Sequence, residues 1–91
     1  MVPIQNFASG VLAEIVRRQP ASKEKTAFAW QLAVGPALAR ATTIELSNGV
    51  LTVRAHDSRW TREIRRAGDT ILHRLQHLLG DDAVGRISIP D

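Results

Sequence analysis

The dipeptide Asn48-Gly49 constrains the fold of this chain more than any other feature. Residues 42–47 before it and residues 51–55 after it alternate between apolar and polar side chains, which is the period of a strand with one covered face. Both residues of the dipeptide tolerate the positive φ of a type I′ turn. The spacing therefore predicts a β-hairpin closed by a two-residue loop.

Helical patterns precede this hairpin. A helix is predicted over residues 3–19, because apolar side chains recur there at helical spacing and Pro20 ends the run. A second helical segment is predicted over residues 22–40, with Ser22 as its cap and an interruption at Gly35-Pro36.

A long helix and a last strand are predicted after the hairpin. Asp57 or Ser58 caps the helix, which runs to Leu79 and ends at a glycine. Residues 84–89 form the last strand, and the connection from strand through helix to strand crosses over.

The resulting order is α-α-β-β-α-β, an α+β class with a three-stranded sheet packed against helices. Ninety-one residues are expected to form one domain over residues 1–91, with the hairpin, long helix and last strand in residues 42–89. The predicted core residues are Ile44, Leu46, Leu51, Val53, Ile64, Ile71, Leu75 and Ile87.

Composition indicates the cellular compartment and the chemical class of partner that we expect for this chain. The chain has no cysteine, which agrees with a reducing compartment, and it has neither an apolar run of the ~18 residues that a membrane span needs nor a signal-peptide pattern. We therefore expect a cytoplasmic protein without a membrane partner. Its net charge is +3 and its pI about 10.6, so acidic partners such as nucleic acid or an acidic protein surface are expected.

Arginines concentrate at the start of the long helix. A helical wheel places Arg59, Arg62 and Arg66 opposite the apolar side, with Arg65 beside them, and Arg54 lies on the exposed face of the preceding strand. We predict these five residues to bind nucleic acid through phosphates. The plainer interpretation, a solvated helix face partly balanced by carboxylates, stays open.

Trp60 lies on the apolar side of this helix, directly after its cap. A tryptophan there braces the core edge or anchors a partner. We expect a largely buried ring, whose replacement by alanine lowers stability before it lowers binding. Arg17 and Arg18, at the end of the first helix, are further candidate partner contacts.

The sequence holds little that supports catalysis. Residues 56–58 contain the residue types of a hydrolase triad, but consecutive residues cannot reach triad geometry, so a helix cap explains them better. Asp69, His73 and His77 share a helical face without a distant third ligand, and a solvated face explains them better than a metal site. No phosphate-binding glycine loop is present. We expect neither enzymatic activity, metal nor cofactor, and no small-molecule substrate.

An ordered set of motifs resembles the DciA family of bacterial replicative helicase loaders. It comprises Trp30, Val34-Gly35, Leu38-Ala39, Asn48-Gly49, Leu51, Val53, Asp57-Ser58, Trp60, Glu63-Ile64, Ile71-Leu72, Leu75, Leu79-Gly80, Val84, Ile87 and Ile89. The resemblance covers about residues 28–89. It implies a KH-like domain that binds the replicative DNA helicase, helps place it on DNA, has affinity for single-stranded DNA and lacks an ATPase of its own. The alternative is a KH-like RNA-binding or ribosome-associated module, although the Gly-x-x-Gly loop with which KH domains clamp RNA is absent.

Overall fold

The structure, a computed structural model, describes residues 10–90. In chain order its elements are α1 (Gly10–Arg18), α2 (Lys23–Val34), α3 (Pro36–Arg40), β1 (Thr42–Ser47), β2 (Val50–Ala55), α4 (Ser58–Arg66), α5 (Gly68–Leu79) and β3 (Arg86–Ser88). Helices and a mixed sheet confirm the predicted α+β class. None of the helices in this described part is long and apolar enough to cross a bilayer.

The hairpin forms as predicted. β1 and β2 pair in antiparallel fashion from Thr42 opposite Ala55 to Ser47 opposite Val50, and the loop residues Asn48 and Gly49 have φ values of 52° and 77°. These values are those that a type I′ turn requires of its two central residues.

The third strand lies beside β2 and completes the sheet in the order β1-β2-β3. β3 runs parallel to β2, with Leu51 opposite Ile87, so a crossover through α4 and α5 joins two neighbouring strands. β3 covers three residues rather than the predicted 84–89, because Gly85 and Pro90 flank it and proline has no N–H to donate to a ladder.

One face of the sheet and the inner sides of the helices form the core. Five of the eight predicted core residues are buried, and Ile44, Leu46 and Ile87 are partly buried against them. The buried hydrophobic residues are Ala13, Val16, Ala29, Trp30, Ala33, Leu51, Val53, Ile64, Ile71, Leu75, Leu78, Leu79 and Val84.

Two side chains of opposite character fix α2 in place. Trp30 is 2% exposed, and its indole N–H donates to Oγ1 of Thr42 at 2.9 Å, which joins α2 to the start of β1. Arg74 on α5 donates from Nη1 to the carbonyl of Ala33 at 2.7 Å. The helix layer is thereby tied both to the sheet and to α5.

The long helix predicted to run from Asp57 to Leu79 is two helices. The helix is interrupted at Ala67, whose φ of −96° and ψ of 11° lie outside the helical range, and α5 begins at Gly68. Glycine beside a break is expected, since it is among the poorest helix formers. The prediction of one continuous helix is corrected.

The helix ends follow the predicted chemistry. Ser22 Oγ accepts from the Lys25 N–H at 3.0 Å, and Gly80 ends α5 with a φ of 104°, a conformation that favours glycine. Of the helix predicted over residues 3–19, the described part is α1, and residues 3–9 lie outside the described residues.

Candidate nucleic-acid interface

The corner between β2 and α4 sets the direction of the arginine-rich helix. Asp57 caps α4, and its Oδ1 accepts from the Arg59 N–H at 2.7 Å, while Arg59 Nη2 lies 3.4 Å from Oδ2. The backbone hydrogen bond, followed by the side-chain one, lowers the pKa of Asp57. The cap is thus a carboxylate at the positive end of the helix, where negative charge is stabilised.

Trp60 forms one wall of a shallow groove on α4. Arg59, Arg62, Glu63 and Arg66 line the rest of it. This grouping arises because residues three and four apart lie side by side on a helix. An aromatic face and three guanidinium groups therefore share one small surface.

Trp60 is of intermediate burial, which agrees with the expectation of a largely buried ring at the edge of the core. Trp60 does not belong to the hydrophobic core cluster or to the partly buried residues packed against it. Among residues 10–90, no group accepts a hydrogen bond from its indole N–H. Ile64, one turn further along, is the buried residue of α4, so the first turn projects beyond the core.

A second groove adjoins the first across Arg62. It lies between the end of β2 and the outer side of α4, and Arg62 lines both grooves. Its lining includes Arg54, His56, Thr61 and Arg65. The structure thus brings all five predicted arginines onto one surface, which we call the α4 surface and define by Arg54, Arg59, Trp60, Arg62, Arg65 and Arg66.

Positive charge on the α4 surface is only partly balanced. The Arg59–Asp57 and Arg66–Glu63 pairs, at 3.4 and 3.8 Å, are solvent-exposed, and such pairs hold their partners weakly. Arg54 and Arg62 form no ion pair with any of residues 10–90. At least the guanidinium groups of Arg54 and Arg62 therefore lack a carboxylate partner among the described residues.

Arg65 is the most constrained arginine of the α4 surface. Its Nη2 donates to the carbonyl of Ile89 at 3.4 Å, which joins α4 to the segment after β3. Arg65 thus makes a structural contact and also lines the second groove. Sequence periodicity alone did not indicate this double role.

Arg17 and Arg18 lie apart from the α4 surface. Both pair with Glu14 on α1, and these two hydrogen bonds are the main reason that the pKa of Glu14 is lowered. Arg17 also donates to the carbonyl of His77 at 3.3 Å. Neither arginine lines the two grooves on α4; Arg17 joins α1 to α5, whereas the contact of Arg18 with Glu14 lies within α1.

The remaining candidate chemistry does not assemble into a site. Asp69, His73 and His77 are exposed on α5, and no group of three or more potential metal ligands occurs within residues 10–90. Asp57 serves as the helix cap, as the sequence favoured over a hydrolase triad. Sequence reasoning missed His56 and Thr61 in the second groove, because their place there depends on the angle between β2 and α4.

Comparison with known proteins returns one family. The family model described as "Dna[CI] antecedent, DciA" matches residues 3–89, a longer stretch than the 28–89 over which the motifs resemble the family. No curated protein and no solved structure matches the chain significantly.

Proposed function

The chain belongs to the DciA family of helicase loaders, and on that premise we propose that it binds the replicative DNA helicase and assists its loading on single-stranded DNA. Family membership implies a role related to helicase loading in bacterial DNA replication. The observation that supports the finer proposal is the α4 surface, on which a partly exposed tryptophan lies between arginines.

The α4 surface suits a flexible single strand better than a duplex. Arginines on a convex helix neutralise phosphates without reading bases, and one aromatic face offers a stacking platform for one base. Base stacking contributes about 1–3 kcal/mol per base. Binding is therefore expected to depend on salt and to vary little with sequence.

Trp60 also suits a protein partner. Tryptophan and arginine are the residue types that dominate binding energy at protein interfaces. We propose that the helicase contacts Trp60, with Arg17 and Arg18 as a second, peripheral contact. Because DNA and helicase would share Trp60, the proposal includes competition between them for the α4 surface.

The proposed role requires binding and no bond-breaking chemistry. The sequence lacks a phosphate-binding glycine loop, and we propose a non-enzymatic factor whose energy source is the helicase. We also propose that the domain is KH-like. The hairpin followed by a crossover to a parallel third strand supports this classification. The role places the protein in the bacterial cytoplasm, where the chromosome is replicated.

The test is a titration of labelled single-stranded DNA with and without a replicative helicase, at two salt concentrations. We expect binding of both partners and weaker DNA binding at high salt. RNA of the same base sequence is the comparison ligand, and a clear preference for RNA would favour the ribosome-associated alternative. If neither DNA nor helicase binds, the proposed function is wrong.

The triple variant Arg59→Ala, Arg62→Ala, Arg66→Ala shows which partner the α4 surface binds. If it loses DNA affinity, the α4 surface holds phosphates; if it loses helicase affinity alone, the surface docks on an acidic region of the helicase. An unchanged affinity for both partners would move the interface elsewhere, to the helical region around Arg17, Arg18, Lys23 and Lys25. Arg40→Ala, an exposed arginine on α3, is the matched control.

A further inference from the structure

The two edges of the sheet differ in how far they are protected. β3 forms one edge and has only three residues, with Gly85 directly before it and Pro90 two residues after it. β1 forms the other edge and has six residues with an uninterrupted register and no proline. Proteins usually blunt edge strands by shortening, bulges, proline, charge or a covering element. Glu45 is the single charged residue on β1.

The outer edge of β1 keeps unpaired backbone groups. In a hairpin with a two-residue loop the closing pair, Ser47 and Val50, is hydrogen-bonded, and hydrogen-bonded and non-bonded pairs alternate from there. The N–H and C=O groups of Ile44 and Leu46 therefore point away from β2. Outside the hairpin ladder, no backbone or side-chain group in residues 10–90 bonds to the backbone of residues 43–46.

A groove runs along this edge and leaves room for another strand. The α2 side of the groove carries Thr26 and Ala27, two short side chains, with Lys23 at the start of the helix. The residues that line the groove are Ala21, Ser22, Lys23, Thr26, Ala27, Thr43, Ile44, Glu45, Leu46, Thr52 and Arg54.

We propose that the β1 edge binds an extended peptide segment of a partner protein, which adds to the sheet as a fourth strand beside β1. An added strand would bond its backbone to Ile44 and Leu46 and pack alternate side chains against them, a mode in which main-chain bonds give affinity and side-chain pockets give specificity.

The charges around the groove indicate which side chains the bound peptide should carry. Lys23 lies at one end, Arg54 projects from the open face of the sheet next to Thr43, and neither forms an ion pair with a described residue. An acidic side chain beside Thr43 would meet Arg54, and one directly beside Glu45 would be repelled. The partner segment is therefore apolar on alternate residues and acidic at the end that lies near Thr43.

Charge also favours a partner segment over a second copy of this chain. Antiparallel pairing of two β1 strands about their centres would bring two Glu45 carboxylates close together on the same face, and like charges across a strand pair are destabilising. A peptide without a carboxylate at that position avoids the repulsion.

The experiment follows the edge amides by hydrogen exchange in the isolated chain. The probe is a labelled peptide of about nine residues in which valine alternates with threonine and one threonine near an end is replaced by aspartate. We expect the amides of Ile44 and Leu46 to exchange fast in the free protein and at least about tenfold more slowly with the peptide bound. A peptide with lysine in place of aspartate should bind about tenfold more weakly.

Variants keep the result interpretable if one of them folds poorly. Ala27→Trp fills the groove at an exposed helix position and should abolish peptide binding, whereas Ala37→Trp, at an exposed position on α3, should not. Unchanged exchange at Ile44 and Leu46, or equal binding by Ala27→Trp, overturns the proposal. Protection that appears without peptide and grows with protein concentration also overturns it, since the occupant is then a second copy. None of these readouts involves DNA or helicase, so the proposed function can fail without affecting them.

Discussion

The two tryptophans of this chain are placed in opposite environments. Trp30 is buried in the core, and its indole N–H donates to Thr42, whose hydroxyl donates in turn to the carbonyl of Leu38 at 2.9 Å. Trp60 is partly buried among arginines, and its indole has no hydrogen-bond partner in residues 10–90. A tryptophan whose indole N–H is bonded inside the protein, like Trp30, contributes to stability. A tryptophan whose N–H has no internal acceptor, like Trp60, can offer that group to a partner.

The largest expected effect is on the core tryptophan. Trp30→Ala should lower the free energy of unfolding by about 3–5 kcal/mol, because it leaves a cavity and removes the hydrogen bond that the Thr42 hydroxyl accepts. Urea unfolding followed by circular dichroism measures the change. A loss below about 1 kcal/mol would contradict the core assignment of Trp30.

The surface tryptophan should show the reverse pattern. Trp60→Ala should weaken single-stranded DNA binding by about 1–3 kcal/mol, the range for loss of one stacked base, while the free energy of unfolding falls less than for Trp30→Ala. Anisotropy of labelled DNA and a urea melt measure the two quantities. A large loss of stability with unchanged binding would favour the core-edge role that the sequence suggested.

Thr42→Val tests whether the polar contact of Trp30 is needed. It keeps the shape of the side chain but leaves the buried indole N–H without its acceptor, while the Leu38 carbonyl still accepts from the Ala41 N–H. We therefore expect a loss of about 1–3 kcal/mol in unfolding free energy. Thr43→Val, an exposed neighbour on the same strand, is the control and should change stability little. Equal effects of the two substitutions would argue against the hydrogen bond.

Arg62→Ala isolates electrostatics on the α4 surface. Arg62 lines both grooves and pairs with no carboxylate of the described residues, so its removal should lower the log–log salt slope of DNA binding by about one unit or less. Stability should stay within about 0.5 kcal/mol. Arg40→Ala should leave the slope unchanged, and an equal change in both variants would indicate a general charge effect.

The smallest expected effect concerns the cap of α4. The folded-state pKa of Asp57 lies below its ordinary value of 3.8, so the cap stabilises the fold fully above about pH 4 and the contribution is lost as pH falls through the folded pKa. Asp57→Ala should lower the melting temperature at pH 7, and the difference from the unsubstituted protein should shrink toward pH 2. A difference independent of pH would mean that the ionised carboxylate does not stabilise the helix.

Sequence patterns were sufficient for the elements whose cause is local. The Asn48-Gly49 turn, the Ser22 cap and the Gly80 helix end each follow from a side chain or a backbone preference within a few residues. For the cap of α4 the sequence offered Asp57 or Ser58, and Asp57 forms it. The break at Ala67 escaped prediction because the apolar spacing from Ile64 to Ile71 continues across it. Gly68 was the one available signal.

The sequence predicted which residues form the candidate site, but not how they are arranged in space. Helical spacing placed Arg59, Arg62 and Arg66 together, but the joining of Arg54 and Arg65 in a second groove depends on how α4 leaves β2. The partial burial of Trp60 likewise depends on how far the first turn of α4 projects beyond the core. Such tertiary angles leave no trace in the local sequence.

The most direct test of the α4 surface uses the two tryptophans as reporters. The chain has two tryptophans and no tyrosine, so Trp30→Phe leaves Trp60 as the only strong intrinsic fluorophore, and Trp60→Phe leaves Trp30. Each variant, once a melt shows it to be folded, is titrated with single-stranded DNA while its fluorescence and the anisotropy of the labelled DNA are recorded. We expect binding to quench the protein that retains Trp60 and to leave the emission of the protein that retains Trp30 unchanged. Binding that leaves the Trp60 emission unchanged, or that quenches Trp30 alone, would contradict the assignment of the α4 surface as the nucleic-acid interface.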